Sequence, residues 1–474
     1  MSKKHVSLTT TLPYVNSDPH VGFALEIVQA DIVARFHRLM GDDVFFNTGT
    51  DEHGVKIYRK ATEVGQDVQD YVDEYASRFN KLKEKLNLSY DAFIRTTDPH
   101  HIEAAQEFWK RCEANGDIYK KEYKVKYCAG CELEKTESEL EDGKCPFHPT
   151  TELDLIDEEN YFFRFSKYQD ALLKLYEENP EFVVPAHRQN EIRSFVERGL
   201  QDFSISRLKD KMPWGVPVPG DEEHVMYVWF DALVNYISTL GWPDEKYTEW
   251  WPSVQFAGKD NLRQQSAMWQ AMLLSAGIEP SKQILIHGFI TSGGQKMSKS
   301  VGNVIDPIAI VDKYGTDALR YYLARHVHPF EDSDMTMERF HETYTANLVN
   351  GLGNLVSRVM KLAETHLEEP IEKPVSVDCP KEYEAALGRY EFNVAADLIW
   401  ARIGAADQRM SDEAPFKVVK TDPEKGKQII VELALELFHI ACMLTPFLPE
   451  TSKRIKQTVL ENKKPDILFP RIDA

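Results

Sequence analysis

Runs of β-branched and aromatic residues alternate with stretches of helical hydrophobic spacing along the first part of the chain. HVSLTTTLPY, DVFFNTGT and AFIRTT read as strands, and Phe23–Arg38 and Val68–Leu86 as the amphipathic helices between them. That alternation predicts βαβ units and a parallel sheet. From Tyr119 to Gly220 the pattern breaks into short, charged, turn-rich segments ending in WGVPVPGD, which predicts an insertion. The sheet rhythm resumes with MYVWFDA, VQFAGKD and QILIHGFI, each followed by a helical stretch, the last by a glycine turn and DALRYYLARHV. Beyond Pro329 no strand pattern is visible, and three long stretches carry apolar residues at helical spacing, with Glu368–Lys381 as a loop between helices. The expected fold is α/β: a nucleotide-binding parallel sheet formed by residues 1–115 and 223–328, split by an insertion at 116–222 and followed by an all-α bundle at 329–474.

Composition narrows the class. The 474 residues give about three domains at roughly 150 residues each. The net charge of −20 argues against sequence-independent adhesion to DNA or an anionic membrane, though local basic patches remain compatible with a specific nucleic-acid partner. The N-terminus has no apolar run of signal-peptide length, and no stretch reaches the ~18 apolar residues of a membrane span, so a cytoplasmic protein is expected. Six cysteines are too sparse for a disulfide scaffold. Cys128-Ala-Gly-Cys131 and Cys145-Pro-Phe-His148 form CxxC…CxxH, whose three thiolates and one imidazole suit closed, structural, tetrahedral zinc. A redox CxxC or unligated thiols would not require the second pair.

Two motifs carry candidate chemistry. Pro19-His20-Val21-Gly22 lies where the first strand hands over to the first helix, a place where backbone N–H groups favour phosphate and Gly22 admits a nucleotide to the backbone. Taken alone, His-x-Gly at such a turn is also ordinary local packing. In HGFITSGGQKMSKSVGN a glycine turn presents Lys296 and Lys299 beside Ser298 and Ser300, suited to charge developing on a departing pyrophosphate. These motifs resemble the HIGH and KMSKS signatures of the class I aminoacyl-tRNA synthetases, here His20-Val21-Gly22-Phe23 and Lys296-Met297-Ser298-Lys299-Ser300. TLPYVNSDPHVG, GTDEHG, YVWFDA, AGKD and WGVPVPGD are further similar to the methionyl-tRNA synthetase family, over essentially the whole chain.

The resemblance implies a Rossmann-like catalytic domain, a zinc knuckle in the insertion and an anticodon-binding bundle. It implies ATP contacts from His20, Gly22, Lys296, Ser298 and Lys299, with His20, Lys296 and Lys299 catalytic and Mg²⁺ accompanying ATP. It implies a methionine pocket of Leu12, Tyr14, Trp229, Ala232, Tyr236 and Trp269, with Asp51 near the α-ammonium, Arg207 and Asp260 in support, and Gln265 at its margin. Aromatic walls suit an unbranched thioether, and a carboxylate suits an ammonium. Separating methionine from norleucine needs a donor to sulfur; Tyr14 is the expected one, with Gln265 either adding an N–H or orienting Tyr14. The chain departs from the family pattern at Gln264-Gln265 (commonly Phe-His), at Leu233 (usually Pro) and at Phe416 (often Trp).

In the helical region, Asn354 and Arg358 fall on one helix face and correspond to the family's anticodon readers, with Phe416 placed to stack on a base. From Glu331 onward 18 Lys+Arg face 25 Asp+Glu, so a few specific contacts, not a basic platform, must read tRNA. The implied partners are ATP, L-methionine and both initiator and elongator methionine tRNAs. A monomer is expected, because the chain ends soon after the bundle. Synthetases for leucine, isoleucine or valine would need an editing domain of ~200 residues where only the knuckle stands, and a cysteine enzyme would place zinc at the active site. A non-catalytic RNA-binding paralogue would have no use for His20, Asp51, Lys296 and Lys299.

Overall fold

The computed structural model describes residues 3–130, 133–135, 139–297, 303–374 and 379–473. Six strands, β1 (His5–Thr10), β2 (Asp43–Thr50), β3 (Ala92–Arg95), β4 (Val183–Val184), β5 (Val254–Gly258) and β6 (Gln283–His287), form an all-parallel sheet in the order β3-β2-β1-β5-β6-β4. The connections reverse direction between β1 and β5, so a crevice opens at their carboxyl ends, where open α/β sheets hold ligands. The crossover α1 (Val21–Met40) is buried on nearly every face, including the polar Glu26, Gln29 and Asp31. One apolar core, with Leu25, Val28, Leu319 and Leu437, runs without a break from α1 into the helical region. A second, with Phe108, Phe230, Trp269 and Ile286, is joined by Phe163, Leu172 and Ile192 of the insertion, so catalytic domain and insertion share it.

Two sequence expectations change. His224–Met226 pairs antiparallel with Ser206–Leu208, and Val228–Ala232 is a short helix, so YVWFDA is not a strand of the parallel sheet. A short apolar run cannot distinguish a buried helix from a buried strand by period alone. The insertion centres on a long antiparallel ladder from Ile118–Phe163 to Tyr127–Asp154. It also supplies β4, which pairs through Val183 and Val184 with β6, so the main sheet takes its edge strand from within residues 116–222.

A hairpin follows β6: β7 (Ile290–Ser292) and β8 (Gln295–Lys296). Its two-residue loop, Gly293-Gly294, has φ of 62° and 74°, the positive pair that tight hairpin turns require and that glycine adopts without strain. After α2 (Thr316–Arg325) comes β9 (Ser333–Asp334), which pairs in parallel with β7. Two residues are too few to show a period, which is why the region after Pro329 reads as strandless. The helical region continues with α3 (Met337–Thr343), a π-helical stretch Tyr344–Gly353, α4 (Asn354–His366), α5 (Phe392–Asp412), α6 (Pro415–Thr421), α7 (Pro423–Leu444) and α8 (Pro449–Leu460). Among the described residues no helix is long and apolar enough to cross a membrane.

Candidate active site

The chain leaves β1 at Thr11 and leaves β2 at Asp51, and the two exits are tied together: Val15 N–H donates to Asp51 O at 3.3 Å and Asp51 N–H to Pro13 O at 3.0 Å. This places Leu12, Tyr14 and the buried Asp51 side by side at the crevice. Tyr14 meets Trp229 edge to face, with ring centroids 6.3 Å apart. The Lys56 ammonium lies 4.9 Å from the Tyr14 ring centre and donates to Gly130 O at 2.6 Å, joining the pocket wall to the cysteine knuckle.

Behind this wall stand Ala232, Tyr236, Gln265 and Trp269, all buried. Trp269 is fully enclosed, 5.5 Å from Phe108 in a stack and 5.9 Å from Tyr236, so it backs the pocket through Tyr236. Gln265 lies on a π-helical turn, Gln264–Met268, and its amide donates to the Tyr236 hydroxyl at 2.8 Å. The residue that Gln265 holds here is Tyr236. Burial raises the Tyr236 phenol, which keeps its O–H protonated and available as a donor. Arg207 lies to one side, 4.6 Å from the Tyr227 ring centre and bonded to Ser204 and Ser206, in a cavity of about 150 Å³ with Tyr127 and Val228. Asp260 is exposed at the end of β5.

The phosphate end is built around the first turn of α1. His20 is its exposed N-cap, and its Nδ1 accepts from Gly22 N–H at 3.0 Å. A Cβ on Gly22 would stand 2.8 Å from the His20 ring, so only glycine allows this fold-back. The two signature motifs meet here. Met297 Cε is 3.8 Å from the position of that same Cβ, and Val21 N–H donates to Ile305 O at 3.0 Å. A cavity of about 650 Å³ opens beside them, lined by Pro19, Arg78, Lys81, Val304 and Asp306. Ser298, Lys299 and Cys131 lie outside the described residues, as does the side chain of Lys296.

Three buried polar arrangements support the site. Glu26 accepts from Thr11 N–H at 2.7 Å and lies 2.8 Å from His287 Nε2, joining α1 to the ends of β1 and β6. Burial alone would lower His287, but the Glu26 carboxylate outweighs it and raises the imidazole above its ordinary value. Asp231 is raised by burial and lies 3.0 Å from His53. Glu52, fully buried, takes a two-point bond from Arg95 at 2.7 and 2.8 Å. For Glu26 and Asp231 the visible signal is an acidic residue among apolar neighbours; Glu52, between Asp51 and His53, carries none, and the partners lie too far away in sequence to be read.

In the insertion, the donor atoms of Cys128, Cys145 and His148 all lie within 4.8 Å of one another. Both cysteines are buried, and a Cβ on Gly130 would come within 2.3 Å of the His148 ring, so the knuckle is folded tightly over its own centre. In the helical region Asn354 is exposed on the first turn of α4, Arg358 one turn on pairs with Asp407 at 2.7 Å, and Phe416 is 41% exposed at the start of α6.

A split parallel sheet with these paired motifs at its crevice defines a class I aminoacyl-tRNA synthetase, and the family described as tRNA synthetases class I (M) matches residues 6–154 and 138–360. The anticodon binding domain of methionyl tRNA ligase matches residues 362–470. The methionine–tRNA ligase of Thermosynechococcus vestitus is 42% identical, over 95% of this chain and 89% of that one; that of Thermotoga maritima is 40% identical, over 97% and 76%. Among solved structures, Mycobacterium tuberculosis methionyl-tRNA synthetase with methionyl-adenylate superposes with a TM-score of 0.88 at 36% identity, covering 95% of this chain and 93% of that one. The chain belongs to the methionine–tRNA ligase family.

Proposed function

We propose that this ligase divides its reaction among the residues gathered at the β1–β5 crevice. The methionine carboxylate attacks the α-phosphorus of ATP, the bond to the β-phosphate breaks, and pyrophosphate leaves. The 2′-hydroxyl of the terminal tRNA adenosine then attacks the methionyl carbonyl and AMP leaves. No protein nucleophile is needed, so catalysis is orientation and charge stabilisation. His20, Gly22 and Ser298 hold the phosphates, Lys296 and Lys299 take up charge on the leaving pyrophosphate, and Mg²⁺ accompanies ATP. Asp51 pairs with the α-ammonium, Leu12, Tyr14, Trp229, Ala232 and Tyr236 enclose the side chain with Trp269 behind Tyr236, and Arg207 and Asp260 support the walls from outside. The observation that carries this reading is the meeting of Met297 with Gly22, which brings the two signature motifs together at the start of α1. Methionine-dependent ATP–pyrophosphate exchange tests it; a chain that forms no adenylate with methionine refutes it.

The geometry supports Tyr236, fixed by Gln265, as the donor to the thioether sulfur. Gln265→Leu is expected to narrow the methionine-over-norleucine ratio of kcat/KM about fivefold, the worth of one hydrogen bond, whereas Gln265→His preserves it. A ratio unmoved by both Gln265→Leu and Tyr236→Phe would mean that shape alone sets the choice.

One zinc, held by Cys128, Cys131, Cys145 and His148, closes the knuckle, while the rest of the insertion is held by apolar packing through residues such as Phe163, Leu172 and Ile192. Cys145→Ala is expected to release it and loosen the insertion while the bundle stays folded; protein purified without chelator that carries no stoichiometric zinc would overturn the assignment. Asn354, Arg358 and Phe416 read the anticodon of initiator and elongator methionine tRNAs. Arg358→Ala should cost about 1–3 kcal/mol in aminoacylation and spare adenylate formation, and an equal fall in both steps would argue against it. The working form is a cytoplasmic monomer, which sedimentation with and without tRNA tests; a stable dimer would contradict it.

A further inference from the structure

The hairpin that carries Lys296 sits on the main core through the buried Ile290, and it is further held by the start of the helical region. A Cβ on Gly288, just before β7, would stand 2.2 Å from the backbone of Glu331, so the two segments are in direct backbone contact. β9 runs alongside β7: Ser333 N–H donates to Phe289 O at 3.0 Å and Met335 N–H to Thr291 O at 2.9 Å, with Met335 fully buried as the anchor. Two carboxylates then fasten the strap to two different loops. Asp332 accepts from Phe289 N–H at 2.9 Å and pairs with Lys259, at 2.7 Å, in the turn that leaves β5 and carries Asp260. Asp334 accepts from Gly294 N–H at 2.8 Å and from the Thr291 hydroxyl at 3.0 Å. Thr291 is the residue paired across the hairpin with Lys296. Asp334 thus grips the glycine turn and, through Thr291, the backbone position of the first motif lysine.

We propose that Asp334 is a positioning residue for adenylate formation: it fixes the β7–β8 hairpin so that the signature lysines meet the departing pyrophosphate. This rests on the assignment of those lysines given above. The hairpin turn is two glycines, with no side chain to stiffen it, and a charge-assisted bond to Gly294 N–H supplies the missing restraint. Misplacing a charged group by about 1 Å is enough to cost a large factor in rate while leaving substrate affinity intact. The strap leads directly into α3 and on to α4, so the chain that sets the hairpin is continuous with the helix bearing Asn354 and Arg358.

Asp334→Ala in the full chain is expected to lower kcat of methionine-dependent pyrophosphate exchange about tenfold, with KM for methionine within about twofold of the parent. Single-turnover transfer from preformed methionyl-adenylate to tRNA should be unchanged, since pyrophosphate has already gone. Asp334→Asn should restore exchange to within about threefold, because its carbonyl oxygen still accepts from Gly294 and Thr291. Equal loss in exchange and transfer, or no rescue by asparagine, would reduce Asp334 to a merely structural role. Lys296→Ala, run in parallel, separates the two readings. If it leaves exchange intact, the lysine assignment fails; if it slows exchange while Asp334→Ala does not, only the positioning role fails.

Discussion

Replacing Lys299 with alanine is expected to slow methionine-dependent ATP–pyrophosphate exchange about 10²-fold or more, with little change in methionine binding. The pyrophosphate gains charge as the α–β bond breaks, and an ammonium positioned there is worth more in the transition state than in the ground state. A hundredfold corresponds to about 2.7 kcal/mol, within what one well-placed cationic donor supplies in a water-poor site. In the proposed assignment the methionine side chain is held by Tyr14 and Tyr236, away from the departing pyrophosphate, so its KM should hardly move. Transfer from preformed adenylate should also persist. An exchange rate equal to the parent's would show that the second motif lysine plays no part in adenylation.

What the sequence discloses and what it hides follow from range. The His20-Val21-Gly22 turn works through a neighbour two residues away, Gly22 N–H on His20 Nδ1, and the knuckle brings the Gly130 backbone under the His148 ring through two CxxC/CxxH pairs whose spacing is itself visible. Such motifs are legible. The arrangements that make the crevice rigid are not. Glu26 meets His287, 261 positions on, and Glu52 meets Arg95 across the sheet. The reading of secondary structure fails where elements are shortest: at the five-residue helix Val228–Ala232, and at β4 and β9, whose two residues each draw their stability from the strand beside them, not from their own pattern. The Gln265 substitution was visible, but its partner was not, because Tyr14 and Tyr236 are equally plausible donors until the π-helical turn aims the amide at one of them.

The same long-range logic gives the largest expected effect on stability. Arg320 on α2 and Asp31 on α1 are both fully buried and lie 2.8 Å apart. The guanidinium also donates to three backbone carbonyls: Phe447 at 2.8 Å, Pro446 at 2.9 Å and Leu86 at 3.1 Å. One side chain therefore ties the catalytic crossover helix to the turn between α7 and α8. Burial would push the Asp31 carboxyl up, but the Arg320 and Arg35 guanidiniums outweigh it and hold it below its ordinary value. A depressed carboxylate stabilises the fold fully above its unfolded pKa of about 3.9 and loses that contribution only as pH falls through the folded value, so the parent keeps it at neutrality. Arg320→Met fills similar volume but takes from the buried Asp31 its buried cation, leaving Arg35 at 2.7 Å and the Ser89 N–H and hydroxyl, both at 2.6 Å, and it strips three carbonyls of their donor. The expected cost is about 3–5 kcal/mol at pH 7, because breaking one side of a buried pair leaves the other charge uncompensated. In the variant burial prevails and the Asp31 carboxyl rises, so protonation relieves part of the penalty and the gap to the parent should shrink as pH falls from 7 to 5. Denaturant unfolding at the two pH values measures this directly. A loss below about 1 kcal/mol, or a gap that widens on acidification, would mean that apolar packing, not this ion pair, joins the two domains.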